Sequence, residues 1–314
     1  MARQGRTHAQ TGRRTITQRR LDAAVEGIRG TVSFNAPLKD YTSFRIGGPA
    51  DVLVEPADVD DVARLVRQTK AQKLPLFVVG GTNLLIRDKG IKGVVVNLGK
   101  LRAIREEPGA VLYAEGGVGM PTLIGYAIRH SLAGLEWAAG IPGTVAGCVV
   151  MNAGTRLGEM KDSVKAVRLV NQKGEIVDIP ASQIPFAYRR ATLPAGIVVG
   201  VWMQLRTGVR ATIEQVVKDY LHYRRDTQPL ALPSAGCVFK NPPKDSAGRV
   251  IDEAGLKGVQ VGDAQVSDKH ANFIVNQGQA SAKDVLALIR KVRAAVAKHT
   301  GVKLELELKV VGRA

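Results

Sequence analysis

From Asp51 onward the chain switches between two hydrophobic periods. DVLVEP reads as a short strand. After it Val59, Val62, Ala63 and Val66 recur at i, i+3, i+4 and i+7 behind Asp58, the pattern of a helix with an acceptor at its N-cap. The apolar runs PLFVVG, stopped by Gly80-Gly81, and GVVVNLG read as buried strands. VLYAEGG opens a second stretch, followed by a helix around Leu123 to Leu132. VKAVRLVNQKGEIVDIP then reads as a hairpin turning near Lys173-Gly174, and IVVGVWMQL as a closing strand. A third stretch begins with a helix whose stripe is Ile213, Val216, Val217, Tyr220 and Leu221. It ends with a helix capped by Ser281 and Asp284 that turns Val285, Leu288, Ile289 and Val292 inward, and with the alternating strand VKLELELKVV. These elements predict an α+β protein of three units, 23–100, 101–208 and 209–314. No repeat or low-complexity linker separates them, so they should pack closely.

Composition narrows the class. A chain of 314 residues with 45% hydrophobic content and 34 glycines can bury a large core and make many tight turns. No apolar run approaches the roughly 18 residues of a membrane span, so a soluble, cytoplasmic protein without a membrane partner is expected. Cys148 and Cys237 are too few for a disulfide framework and neither lies in a CxxC pair, which argues against structural zinc or a redox dithiol. The net charge of +17 is uneven: residues 1–20 hold six arginines, Arg3, Arg6, Arg13, Arg14, Arg19 and Arg20, and no acid. Residues 1–22 therefore read as a disordered basic tail that binds polyanions without specificity. The remaining excess suits a substrate or cofactor bearing phosphates, without specific nucleic-acid recognition.

Three stretches carry chemistry. VVGGTNLLI, Val78 to Ile86, runs a strand into glycines that can turn N–H groups toward an anion, with Thr82 and Asn83 beside them. A ligand-free Gly-Gly turn would carry the same letters. AAGIPGTVAGCVVMNAG, Ala138 to Gly154, is a glycine-rich loop with almost no polar residues, suited to close backbone approach by a flat apolar group or to a buried crossover. PSAGCVFKNP sets Cys237 between a small flexible run and a Phe-Lys-Asn-Pro tetrad, and no partner base for a nucleophile is apparent. In the last strand Glu307 alternates with Val302, Leu304, Leu306 and Leu308 just as Lys303, Glu305 and Lys309 do, and so reads locally as a solvated charge.

Together with YTSFRIGGPAD, FAYRRATLP and the run from Leu256 to Asn276, these stretches resemble, in order from about residue 30 to 312, the UDP-N-acetylenolpyruvoylglucosamine reductases. The continuous third unit is similar to the shorter form of that family. The resemblance implies a three-domain flavoprotein whose first two domains share a vanillyl-alcohol-oxidase-type FAD-binding fold and whose third, α+β domain binds the substrate. It implies NADPH as hydride donor, a sugar-nucleotide substrate, a role in peptidoglycan synthesis and a monomer. It assigns non-covalent FAD to Val79, Gly80, Gly81, Thr82, Asn83 and Leu84, to Gly140, Ile141, Pro142, Gly143, Thr144, Ala146 and Gly147, and to Val199. It assigns catalysis to Arg189, Cys237 and Glu307, with Cys237 at the proton-donor position, and substrate contacts to Tyr188, Arg225, Gln228, Lys240 and Asn241. Cys148 and His270 receive only packing and support. Thr82, Ala146, Ala191 and Lys309 depart from the common Ser, Gly, Ser and Arg of the pattern, and Ala191 puts one substrate hydrogen bond in doubt. Two other readings stay open at this stage: another flavin oxidase or dehydrogenase on the same fold, and a basic nucleic-acid binder, which would be colourless.

Overall fold

The computed structural model describes residues 15–314. Four strands form a first sheet in the order Thr31–Pro37, Pro49–Glu55, Ile91–Asn97, Leu76–Val79, antiparallel at the first pairing and parallel at the other two. The helix Val59–Ala71 makes the crossover, with Asp58 accepting from the Asp61 N–H and with Val62, Ala63, Leu65 and Val66 buried. A second, fully antiparallel sheet runs Ile176–Pro180, Val164–Asn171, Gly196–Gln204, Val111–Glu115, Ile104–Glu107. A third runs Ser234–Cys237, Phe273–Asn276, Ala264–Val266, Gln260–Val261, next to the helices Ala247–Glu253 and Ala282–Thr300. Ser281 and Asp284 form the expected capping box on the latter.

One hydrophobic core joins the first two sheets, with Val52 and Val94 in the same cluster as Val145 and Val201. A second lies under the third sheet, and it also takes Phe44, Ile46 and Leu85 from the first region. Phe44 is fully enclosed there. Its truncation to alanine should cost about 3–5 kcal/mol, because the side chain fills another region's core. Three further links cross the same boundary. Ser43 Oγ lies 2.7 Å from the Ser234 carbonyl and 3.2 Å from that of Thr82, and Asn276 Nδ2 donates to the Phe44 carbonyl. Lys309–Val311 pairs in parallel with Leu84–Ile86.

Three expectations need correction. Within the tail assigned to residues 1–22, Ile16–Ala24 is a helix: Thr15 caps it, Leu21 and Ala24 are buried, and Arg20 Nε donates to the Gln72 carbonyl at 2.8 Å. Short amphipathic spacing among arginines hid it; residues 1–14 lie outside the described residues. VKLELELKVV is not one strand, since only Lys309–Val311 enters a ladder and Leu306 makes a single bridge to Phe239. The glycine-rich loop contains a helix, Val145–Val150, too short for its period to be read. Among the described residues no helix is long and apolar enough to cross a membrane.

Candidate active site

Two glycine-bearing loops, far apart in sequence, build one wall of a cavity of about 460 Å³. One joins Leu76–Val79 to Leu84–Ile86; the other leads into Val145–Val150. They meet with almost no side chain between them: a Cβ on Gly147 would stand 3.4 Å from the Gly81 Cα, and one on Gly143 3.5 Å from Thr82 Cγ2. Gly143 holds φ at +101°, a conformation that disfavours any side chain. Thr144 fastens the two loops, donating to the Gly80 carbonyl at 3.2 Å and accepting from the Gly147 N–H at 3.3 Å. Gly81, Thr82, Asn83, Ile141, Pro142, Gly143, Thr144 and Gly147 thus line the cavity together. An adjoining cavity of about 290 Å³ shares Gly81, Asn83, Thr144 and Gly147 and adds Val79, Gly80, Leu84, Ala146 and Lys309. No atom lies within 4 Å of where a Gly81 Cβ would be. Two contiguous spaces along a neutral backbone wall fit an elongated dinucleotide such as FAD.

The facing wall is made of buried charge. Ser234–Cys237 pairs with Phe273–Asn276 through a bulge at which Gly236 adopts φ +80°, and this puts Cys237 on the cavity. Asn272 clamps the next residues, accepting from the Phe239 N–H at 2.9 Å and donating to its carbonyl at 2.8 Å. The Val238 carbonyl accepts from the Glu307 N–H at 2.9 Å, and the Glu307 carbonyl from Asn83 Nδ2 at 2.8 Å. Glu307 is therefore fixed from both sides, and its side chain is 12% exposed while Glu305 points to solvent. Arg189 sits at the turn of the Phe186–Ala187/Arg190–Ala191 hairpin with φ +57°. Its Nη1 donates to the Gly154 carbonyl at 2.9 Å. Its Nε lies 2.9 Å from Glu307 Oε1, a contact ion pair whose N–H is not aligned with the oxygen, so Nε lacks a linear acceptor.

Burial governs the titration of this wall. It pushes the Cys237 thiol up to about 12, with Glu307 adding to the rise and Arg189 and Arg224 opposing it. It also raises the Glu307 carboxyl, against the pull of Arg189. His270 is pushed down by burial, and its Nδ1 accepts from the Asn272 N–H, a supporting contact at the cavity edge. Cys148 lines the opposite side, its thiol also raised to about 12 by burial, with no ionisable group contributing.

Gln228 and Asn241 reach the cavity, Asn241 accepting from the Ala247 N–H. The remaining sequence candidates do not line it. Gly140 packs against the Arg224 stem, and Val199 is fully buried within the central strand of the second sheet. Tyr188 is 54% exposed, and Lys240 pairs with Glu305 at the surface. Arg225 is exposed on a separate hollow of about 290 Å³, where its carbonyl accepts from Lys269. The neighbouring Arg224 is the one turned inward. It is 8% exposed, with Nη2 donating to Gln228 at 2.9 Å and Nε unpartnered, and burial lowers its pKa. The signal was present in the pattern: Ile213, Val217, Tyr220 and Arg224 continue one buried stripe at helical spacing. Tyr220, read from the sequence only as part of an apolar stripe, also lines the cavity, as do Tyr223 and Arg156, which the sequence did not single out.

Comparison with known proteins agrees with this arrangement. Residues 50–180 match the FAD binding domain family, and residues 228–311 match the C-terminal domain of UDP-N-acetylenolpyruvoylglucosamine reductase. The chain is 47% identical over 287 residues to UDP-N-acetylenolpyruvoylglucosamine reductase 2 of Symbiobacterium thermophilum, covering 90% of this chain and 93% of that one. It is 45% identical to the reductase of Heliobacterium modesticaldum, with 91% and 92% covered. The crystal structure of the Thermus caldophilus reductase superposes with a TM-score of 0.77 at 38% identity, over 90% of this chain and 99% of that one. The α+β flavoprotein fold expected from the sequence holds. With likeness of this depth over nine-tenths of its length, the chain belongs to the UDP-N-acetylenolpyruvoylglucosamine reductase family.

Proposed function

We propose that this chain catalyses the NADPH-dependent reduction of UDP-N-acetylenolpyruvoylglucosamine to UDP-N-acetylmuramate, a cytoplasmic step toward peptidoglycan, working as a monomer with FAD bound between its first two units. The observation that carries the reading is the buried cluster of Cys237, Glu307, Arg189 and Arg224 facing a neutral glycine wall across one cavity. When bound, FAD would supply the redox chemistry that links NADPH oxidation to reduction of the enolpyruvyl group.

The chain's own residues handle the substrate carboxylate and the proton. Hydride addition builds negative charge on that carboxylate, and the Arg189 guanidinium holds it, oriented by Glu307. Cys237 gives its proton to the carbon bearing the ether oxygen. A thiol whose pKa is pushed up to about 12 stays protonated at neutral pH, which supports a donor over a nucleophile. Arg224 and Gln228 take the place suggested for Arg225 in gripping the sugar nucleotide, because an unpaired buried cation needs an anion. Tyr188 and Lys240 are left to its outer edge.

The test is anaerobic mixing. The purified protein should be yellow, bleach with NADPH and recover its colour on addition of one equivalent of UDP-N-acetylenolpyruvoylglucosamine. Recovery by oxygen alone would point to a different flavin oxidase or dehydrogenase; a colourless protein with steeply salt-dependent polyanion binding would reject flavin chemistry altogether.

A further inference from the structure

The cavity is lined by three arginines, and only Arg189 has a carboxylate. Arg224 is buried without one, and Arg156, at the exposed tip of the short hairpin Gly154–Thr155/Gly158–Glu159, makes no ion pair among the described residues. The nearest acid on its own hairpin, Glu159, is already engaged by Lys161 and by Asn152. The Arg156 guanidinium carbon instead sits over the Tyr223 ring, 4.1 Å from its centroid. Tyr223 comes from Arg210–Thr227, one residue before Arg224, and is stacked in turn on Tyr220 at 5.9 Å and 14°. The contact therefore joins the short hairpin on one side of the cavity to the long helix on the other.

The hairpin that carries Arg156 is itself held to the site. Arg189 donates to the Gly154 carbonyl, and the Thr155 hydroxyl donates to the Trp137 carbonyl at 3.1 Å. A guanidinium held over a ring through its charge keeps N–H donors for another partner, and its planar fork matches two phosphate oxygens. We propose that Arg156, held by Tyr223 at the cavity mouth, is a diphosphate-binding residue that acts with buried Arg224 to grip the ligand's charged linker. Arg156 contacts the ligand; Tyr223 acts through Arg156 and is a positioning residue. This inference rests on the function proposed above, in which both the sugar nucleotide and NADPH carry a diphosphate.

The two half-reactions of the full-length holoenzyme separate the sources. Arg156→Ala should raise KM for UDP-N-acetylenolpyruvoylglucosamine about three- to tenfold with kcat within about twofold, since a charge-assisted contact at an exposed mouth is partly screened. The difference from wild type should shrink as ionic strength rises. Arg156→Lys should recover part of the loss. Tyr223→Phe should be neutral while Tyr223→Ala reproduces about half of the effect, which distinguishes ring-face support from a bond to the hydroxyl. If flavin bleaching at low NADPH is the step impaired, the diphosphate gripped is the dinucleotide's, and the assignment of Arg156 stands. Unchanged KM in both half-reactions, or Tyr223→Phe as damaging as Tyr223→Ala, overturns it. Should wild-type protein fail to turn over, the proposed reaction is what fails. Calorimetric binding of UDP-N-acetylglucosamine to wild type and Arg156→Ala then still decides the diphosphate assignment, equal affinities rejecting it.

Discussion

The two walls of the cavity are built on opposite principles. The wall from Gly80–Thr82 and Gly143–Gly147 offers backbone and empty space, and its shape depends on dihedral angles that only glycine adopts freely. The wall from Cys237, Glu307, Arg189 and Arg224 offers side chains, and burial shifts the titration of Cys237, Glu307 and Arg224. A cofactor that stays bound through many turnovers needs a fixed shape, whereas a substrate that enters, gains charge and leaves needs fixed electrostatics. The lesson is that substitutions on one wall should change occupancy and on the other should change rate.

The sharpest way to break that division is Cys237→Ala. Bleaching by NADPH should be unaffected, while reoxidation by the enolpyruvyl substrate slows roughly 10²- to 10⁴-fold, the usual worth of a positioned general acid, and Cys237→Ser should recover much of it. In wild type the thiol stays protonated until pH approaches about 12, so the donor is lost only as pH rises toward that value. Rapid-mixing rates of reoxidation should show no thiol inflection between about pH 6 and 10. An inflection near the ordinary thiol pKa of about 8.5 would mean that Cys237 is open to water.

Gly143→Ala probes the other wall. With φ at +101° an alanine is strained by its backbone conformation alone, since its Cβ would stand at ordinary contact distance, 3.5 Å, from Thr82 Cγ2. Flavin affinity should fall about tenfold, as expected for a strain of one to two kcal/mol, while the flavin-loaded fraction keeps normal half-reaction rates. Equilibrium dialysis of FAD checks the first part; a rate change in fully loaded enzyme would erase the distinction between the walls.

Cys148→Ala has the smallest expected effect. Both thiols line the cavity and both are raised by burial, but Cys148 has no charged neighbour acting on it. Thermal denaturation should register a loss of about 1 kcal/mol from apolar burial. Either half-reaction slowing more than about threefold would show that a thiol on the glycine wall also takes part.

The glycine wall was legible in the sequence because Gly and Pro announce backbone geometry directly. The charged wall was not legible in local pattern; the family resemblance named Arg189, Cys237 and Glu307 and missed Arg224. Glu307 looks identical to Glu305 in an alternating pattern, and only the break of that alternation, with Leu306 in a lone bridge to Phe239 and Glu307 fixed by Val238 and Asn83, separates them. Arg224 and Arg225 are adjacent letters, and a helix of 3.6 residues per turn decides which one faces inward. The Ile16–Ala24 helix was lost among basic residues because its burial comes from a partner, with Leu21 and Ala24 joining the same core as the Val59–Ala71 helix, and not from its own composition.

The bond from Asn83 to the Glu307 carbonyl spans 224 positions of sequence. At a synthesis rate of about 5–20 residues per second, that separation corresponds to roughly 11 to 45 s between the emergence of one partner and the other. The parallel pairing of Lys309–Val311 with Leu84–Ile86 waits just as long. Both glycine-bearing loops have emerged before that interval ends, whereas Glu307 emerges only at its close. The bond that fixes Glu307 and the pairing beside it can therefore form only after the third region has been made, so the charged wall closes when a late strand is zipped onto an early one.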